Sequence, residues 1–266
     1  MIIDIHHHHG DGREYTRRLL REMDKLGIDY VCEMGLPDFM EWSTNASIEQ
    51  AVKDAKGRIV GFAWLDLGRD RPDKVDEYRE RGFTGLKFIL PKHNYDHGSF
   101  FPVYERAEAL GMPGLFHCGI VAVREQQRTR NVSSARMRAI YLDAVCRSFP
   151  DWTVIGAHLG NPNYTEATMC ARWHKNLYFD LTGSTLKKIT PEELNHWLWW
   201  RPDSRYRDPL KRSAWEKILF GSDVPAEEIY DVRDDYKRVM DTLNFSDELR
   251  RKIWGETAAK LLGIRK

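Results

Sequence analysis

The chain opens on Met-Ile-Ile-Asp-Ile-His-His-His-His-Gly (residues 1–10), and the reading of this stretch decides the fold. Residues 2–5 form a short apolar run of the kind that makes a buried strand. In an extended chain alternate side chains share a face, so His6 and His8 project together while His7 and His9 turn away. On that register His7→Ala is expected to cost little. Tags usually run to about six histidines and carry linker residues, whereas this shorter run continues a strand.

Seven more apolar runs recur along the chain, at 30–33, 59–65, 85–89, 114–117, 153–157, 177–180 and 217–220, each bounded by Gly, Pro or polar residues. Helical patterns lie between them. Tyr15, Leu19, Met23 and Leu26 mark one apolar stripe, and Met137, Ile140, Tyr141, Ala144 and Val145 another. Pro72 and Pro191 stand where a first helical turn would begin, followed by carboxylates that suit the helix dipole. Two more helices are expected after the eighth strand, at 226–243 and 247–262. Eight strands alternating with helices predict an α/β protein, a (β/α)₈ TIM barrel forming a single domain over residues 1–266 with an extra C-terminal helix. A doubly wound open sheet would have a Gly-rich first turn, and no G-x-G-x-x-G occurs. The stretch 183–213 reads as irregular and holds His-Trp-Leu-Trp-Trp (196–200), which marks it as a lid or specificity loop.

Composition narrows the function classes. The 41 Lys and Arg against 40 Asp and Glu leave a net charge of +1, so no basic field exists to hold nucleic acid or an anionic membrane. No run approaches the ~18 apolar residues of a membrane helix, and the first residues lack the basic and apolar regions of a secretory leader. The four cysteines (Cys32, Cys118, Cys146, Cys170) form no C-x-x-C pair. The expectation is a cytoplasmic enzyme acting on a small molecule, with homo-oligomerisation open.

In a (β/α)₈ barrel every strand C-terminus opens onto one face, where active sites are built. His6 and His8 end the first strand, His117 the fifth, His158 the sixth and Asp223 the eighth. Four histidines and a carboxylate at one mouth predict a metal site, and nitrogen and oxygen ligands without thiolate suit Zn²⁺, Mn²⁺, Fe²⁺ or Co²⁺ without choosing among them; Zn²⁺ is the ion expected. Asp4, near the pair, either orients a histidine or makes a structural hydrogen bond. The loop after the fourth strand offers His93, the loop after the fifth offers Arg124, Arg128 and Arg130, and the Trp-rich piece offers Trp197; with Lys87, the expected substrate contacts are His93, Arg124 and Trp197.

These motifs in this order resemble the amidohydrolase superfamily, and within it the amidohydrolase-related (amidohydrolase 2) group of TIM-barrel hydrolases and aromatic-acid decarboxylases. The resemblance spans nearly the whole length. It rests on D-x-H-x-H at 4–8, GFTGLK at 82–87, FHCG at 116–119, GAHLG at 156–160, YFDLTG at 178–183, FGSDVP at 220–225 and GETAAKLLG at 255–263. Thr257 departs from the Asn common in the last motif. The resemblance implies that His6, His8 and His117 bind the principal metal, with Asp223 as a further ligand close to the water it deprotonates. It implies for His158 either a second-metal ligand or the side chain that polarises substrate or positions water. Lys87 would be a carbamylated bridge between two metals, a cation facing an anionic substrate, or an ion-pair partner, so one or two metals per chain are expected. The implied activity is metal-dependent hydrolysis of an amide, lactone or other ester of a small, carboxylated substrate. The alternative is non-oxidative decarboxylation of an aromatic or unsaturated acid.

Overall fold

The computed structural model describes residues 1–8, 10, 12–40, 42–121, 132–198 and 214–265. Eight strands, β1 (Ile3–His7), β2 (Tyr30–Met34), β3 (Ile59–Trp64), β4 (Gly85–Phe88), β5 (Gly114–Phe116), β6 (Val154–Gly156), β7 (Leu177–Asp180) and β8 (Ile218–Leu219), pair in parallel in chain order. Helices follow the strands: α1 (Gly12–Leu26), α2 (Asn45–Asp54), α3 (Asp73–Glu80), α4 (Phe101–Ala109), α5 (Tyr141–Ser148) and α6 (Tyr164–Trp173). The later ones are α7 (Thr185–Lys188), α8 (Pro191–Leu198), α9 (Ile229–Thr242), α10 (Asp247–Arg251) and α11 (Thr257–Leu262). The result is a nearly closed TIM barrel. Between its last and first strands a few main-chain bonds run: Ile5 N–H to Phe220 O (2.9 Å), and the amides of Ser222 and Asp223 to His6 O (3.2 and 2.8 Å).

Two apolar layers hold the barrel together. Ile3, Ile5, Cys32, Met34, Phe62, Leu115, Ile155 and Leu219 alternate inward along their strands and fill the barrel. The opposite faces pack on the helices, with Tyr15, Leu19 and Met23 supplying the buried stripe of α1. Thr44 and Ser47 close a capping box at the start of α2.

Two expectations are corrected. The stretch 183–213 is not irregular throughout, because α7 and α8 occupy its first half; residues 199–213 lie outside the described residues. The last helix is not continuous over 247–262. A π turn at Lys252–Glu256 separates α10 from α11. There Ile253 O accepts from Phe220 N–H (3.0 Å), and a Cβ on Gly255 would stand 2.9 Å from Met1 O. The turn lets the helix pass close beneath β1 and β8.

Candidate metal centre

The first strand is irregular where the chemistry begins. Asp4 pairs with Val31 and His7 with Glu33, so three steps on β1 face two on β2. The extra residue is a bulge, and it breaks the alternation of faces. Ile5 points into the barrel, and His6 turns inward beside it to meet Lys87, Asp180 and His158. His7 turns outward to Tyr15 of α1. His8 comes back to the mouth, its ring 5.1 Å from that of His6.

Around this pair the strand ends bring the other residues together. Asp223 Oδ1 lies 3.0 Å from His8 Nε2 and 3.7 Å from His6 Nε2, and Asp223 Oδ2 lies 3.8 Å from His158 Nδ1. His158 Nε2 is 3.3 Å from His117 Nδ1. His158, Leu159 and Asp223 all hold left-handed backbone (φ 60°, 46° and 51°). Non-glycine residues there cost of order 1–3 kcal/mol each and persist only where the surroundings enforce them. At Gly183 (φ 67°) a Cβ would press within 3.0 Å of His158 Nδ1, so that ring is seated against bare backbone.

Hydrogen-bond directions fix the ring nitrogens. Asp180, wholly buried at the end of β7, accepts from His158 N–H (2.8 Å), Thr182 N–H (3.0 Å) and Thr182 Oγ1 (2.5 Å) through Oδ1, and its Oδ2 lies 2.9 Å from His6 Nδ1. A carboxylate only accepts, so His6 carries its proton on Nδ1 and turns the Nε2 lone pair toward the mouth. Thr182, having donated to Asp180, accepts from His158 Nδ1–H (2.6 Å), so His158 Nε2 accepts from His117 Nδ1–H (3.3 Å). His117 Nε2 is buried with no hydrogen-bond partner among the described residues.

Burial sets the charges. It pushes His6 down to about 4, and Lys87 adds to the effect. Burial also lowers His8, and holds His117 well below its ordinary value with the help of His158 and Lys87. These imidazoles are therefore neutral at neutral pH. For Asp223 burial works upward, but His6, His8 and His158 outweigh it and keep the carboxyl ionised. Lys87 is wholly buried and pushed down to about 8 by burial, with Nζ 2.9 Å from His6 Nε2.

Two groups of three have ligand atoms within 4.8 Å of one another: His6, His8 and Asp223, and His6, His158 and Asp180. Asp180 already accepts several hydrogen bonds, so the first group is the better cradle. His117, whose buried Nε2 has no hydrogen-bond partner among the described residues, lines the same cavity as His8 and Asp223 but belongs to neither group. A nitrogen–oxygen donor set of neutral imidazoles and one carboxylate suits a divalent transition metal. A cavity of about 280 Å³ opens over this floor, with His8, His117, His158 and Asp223 at its base and Leu36, Met40, Trp42, Ile89 and Ile120 among its walls.

A sequence model of the family described as Amidohydrolase matches residues 3–264, nearly the whole chain. The chain belongs to the amidohydrolase family. No match was found among curated proteins. Solved structures show the same fold. An uncharacterised TIM-barrel protein from Bordetella bronchiseptica superposes with TM-score 0.74 at 17% identity, covering 99% of this chain and 98% of that one. A probable 2-pyrone-4,6-dicarboxylic acid hydrolase from Acinetobacter baumannii, with citric acid bound, gives 0.67 at 14%, covering 98% and 99%. A 5-carboxyvanillate decarboxylase from Novosphingobium aromaticivorans, with manganese bound, gives 0.61 at 12%, covering 99% and 97%. The family is one of enzymes, and its neighbours include both hydrolases and decarboxylases. Among the described residues no helix is long and apolar enough to cross a membrane.

In this amidohydrolase the expected site residues fall into three sets. His6, His8, His117, His158 and Asp223 meet at the mouth, with Lys87 beneath His6. The expected substrate contacts His93 and Trp197 are placed elsewhere. His93 is exposed and stacks on His97 with ring centroids 4.2 Å apart, and Trp197 stacks on Tyr164 at 5.1 Å. Each ring finds its apolar contact in a neighbouring ring, and neither lines the cavity. Arg124, with Arg128 and Arg130, lies outside the described residues. Asp4 accepts from the His6 and Ser222 amides, so the orienting carboxylate of His6 is Asp180. Sequence reasoning missed that role, although Asp180 ends β7 just as Asp223 follows β8. The cavity residues Met40 and Trp42 carried no sequence signal beyond their apolarity.

Proposed function

We propose that the protein is a metal-dependent hydrolase that cleaves an amide, lactone or other ester of a small, carboxylated substrate. The observation that carries this reading is the convergence of His6, His8 and Asp223, ligand atoms within 4.8 Å of one another, at the floor of a cavity sized for a small molecule. These three residues, with His117 beside them, would hold the metal; zinc is the first choice, with manganese, iron and cobalt as alternatives. A divalent metal supplies Lewis acidity there, lowering the pKa of water and polarising a carbonyl oxygen.

The chain's own groups do the rest. Asp180 holds His6 with its Nε2 lone pair toward the mouth. Asp223, ionised and facing three histidines, accepts the proton of the attacking water and returns it to the leaving group. His158 Nε2, whose lone pair meets His117 Nδ1 (3.3 Å), would accept from that water or ligate a second metal in exchange for this contact. Leu36, Met40 and Trp42 shield the floor from bulk water. The site is read as mononuclear, with Lys87 outside the ligand set; its Nζ lies 2.9 Å from His6 Nε2, a contact that the His6 lone pair would exchange for the metal. A second metal per chain would instead make Lys87 a carbamate bridge.

The apolar wall at Met40 and Trp42 suits an aromatic ring, and it favours decarboxylation of an aromatic acid as the second reading. The test is zinc- and manganese-loaded protein against a panel of lactones, esters, amides and aromatic carboxylic acids, with metal content measured by mass spectrometry. Acid release in a pH-stat without CO₂ supports hydrolysis, and CO₂ evolution supports the second reading. Neither product from metal-loaded protein across the panel overturns both.

A further inference from the structure

We propose that Asp4, His7, Ser222 and Tyr15 form a positioning relay behind the barrel wall, which sets the spacing between the ligand-bearing ends of β1 and β8. The proposal rests on the metal-site reading above. None of the four lines the cavity, and all are buried, with exposures of 0%, 0%, 1% and 5%.

The seam between β8 and β1 is where the barrel closes, and regular pairing gives out there. Beyond Ile5, the amides of Ser222 and Asp223 both point at one carbonyl, His6 O. Side chains take over the work of a ladder. Asp4 Oδ1 accepts from the amides of His6 (3.1 Å) and Ser222 (3.0 Å), while Ser222 Oγ donates to Asp4 Oδ2 (2.5 Å). Having donated, Ser222 Oγ accepts from His7 Nδ1–H (3.0 Å), so His7 Nε2 accepts from Tyr15 O–H (2.8 Å). The Tyr15 oxygen in turn accepts from Ala226 N–H (3.1 Å).

The chain of bonds therefore leaves the β8 loop at Ser222, crosses β1 and α1, and returns to the β8 loop at Ala226. It brackets Asp223 on both sides and grips the residue between His6 and His8. Asp223 needs such a frame, because its backbone is left-handed (φ 51°). Apart from the relay, Asp223 is held against the two histidines by the main-chain bonds to His6 O and by the contact of its own carboxylate with His8 Nε2 (3.0 Å).

The experiment measures Zn²⁺ affinity of the full chain by competition with a chromophoric chelator, alongside melting temperature. Ser222→Ala and His7→Phe are expected to weaken Zn²⁺ binding by about 10–100-fold, the range for groups that orient metal ligands. Ser222→Thr, which keeps the hydroxyl, is expected to bind like the wild type. Val145→Ala, in the buried face of α5, is the control; it lowers the melting temperature and leaves Zn²⁺ affinity unchanged. Wild-type affinity in Ser222→Ala, or a loss no larger than that of an equally destabilised Val145→Ala, overturns the relay while leaving the metal site standing. No Zn²⁺ uptake by the wild type overturns the metal-site reading and the relay with it. If His7→Phe does not fold, the smaller Ser222→Ala and its threonine rescue decide the matter.

Discussion

One strand carries two polar faces that behave in opposite ways. On the inner face of β1, His6 and His8 join His117, His158 and Asp223 in a site with a buried nitrogen, His117 Nε2, that has no partner among the described residues, and with strained backbone at His158 and Asp223. On the outer face, Asp4 and His7 join Ser222 and Tyr15, and each polar atom is handed to the next. Buried polar groups normally find partners, so an under-satisfied set at a cavity supports the reading of a ligand site proposed above. A satisfied set behind the wall holds geometry. Glu33 is the exception on the outer side. Its oxygens have no hydrogen-bond partner among the described residues, and burial, then Asp4, raises it well above the carboxylate range.

The largest effect should come from the inner face. Asp223→Asn keeps shape but removes the proton acceptor, and turnover should fall by about 10²–10⁴-fold, the usual contribution of general acid–base catalysis. Urea unfolding should show the fold intact. Near-normal turnover in a folded variant would remove Asp223 from the mechanism and blur the contrast between the faces.

A pH series on metal-free protein separates the faces by sign. His6 is pushed down from 6.5 to about 4, so between those values the unfolded chain binds a proton that the folded chain refuses. Its contribution is thus lost as pH falls through that window, by about 3 kcal/mol at 1.36 kcal/mol per unit. Asp4 is pushed up from 3.8 to about 7 by burial, so the folded chain holds a proton that the unfolded chain releases. Its contribution is lost as pH rises through the same region. Asp4→Asn should therefore gain on the wild type between pH 4 and 7, and His6→Asn should lose on it, both read by urea unfolding. Parallel pH profiles for the two variants would mean that the faces do not differ in this way.

Asp180→Asn sharpens the inner half of the comparison. It takes away the acceptor that fixes the proton of His6 on Nδ1. Metal affinity should drop by about 10–100-fold, measured by chelator competition. An unchanged affinity would make Asp180 only a structural acceptor for Thr182 and the His158 amide.

Much of the inner face was legible in the sequence, because strand ends in a parallel barrel share one mouth and apolar runs mark the strands. The outer face was not. Strict alternation puts Asp4 on the side of His6 and His8, and only the bulge against β2 sends it out with His7. A bulge depends on the partner strand, which one segment's periodicity does not contain. Hence the contacts of His7 point to a larger cost for His7→Ala than alternation alone suggests. His7 does face away from the metal site, but it faces Ser222 and Tyr15 rather than water. His93 and Trp197 were misplaced for a related reason, since ring stacking within loops and helices answers to tertiary neighbours. Asp180 was within reach, because the rule that picked out strand-end residues applies to it unchanged.

Tyr15→Phe should give the smallest effect and tests how far the outer face reaches. The change deletes one hydroxyl that accepts from Ala226 N–H and donates to His7 Nε2, and it leaves the ring packed on α1's buried stripe. Its hydrogen bonding is worth about 1 kcal/mol in stability, rising toward about 3 if His7 or the amide stays unsatisfied. Zn²⁺ affinity should fall less than in Ser222→Ala, because Tyr15 touches the ligand-bearing strands only through His7 and Ala226. Equal losses in the two variants would mean that the seam moves as one rigid unit. A stability loss with no change in affinity would limit the relay to Asp4, Ser222 and His7.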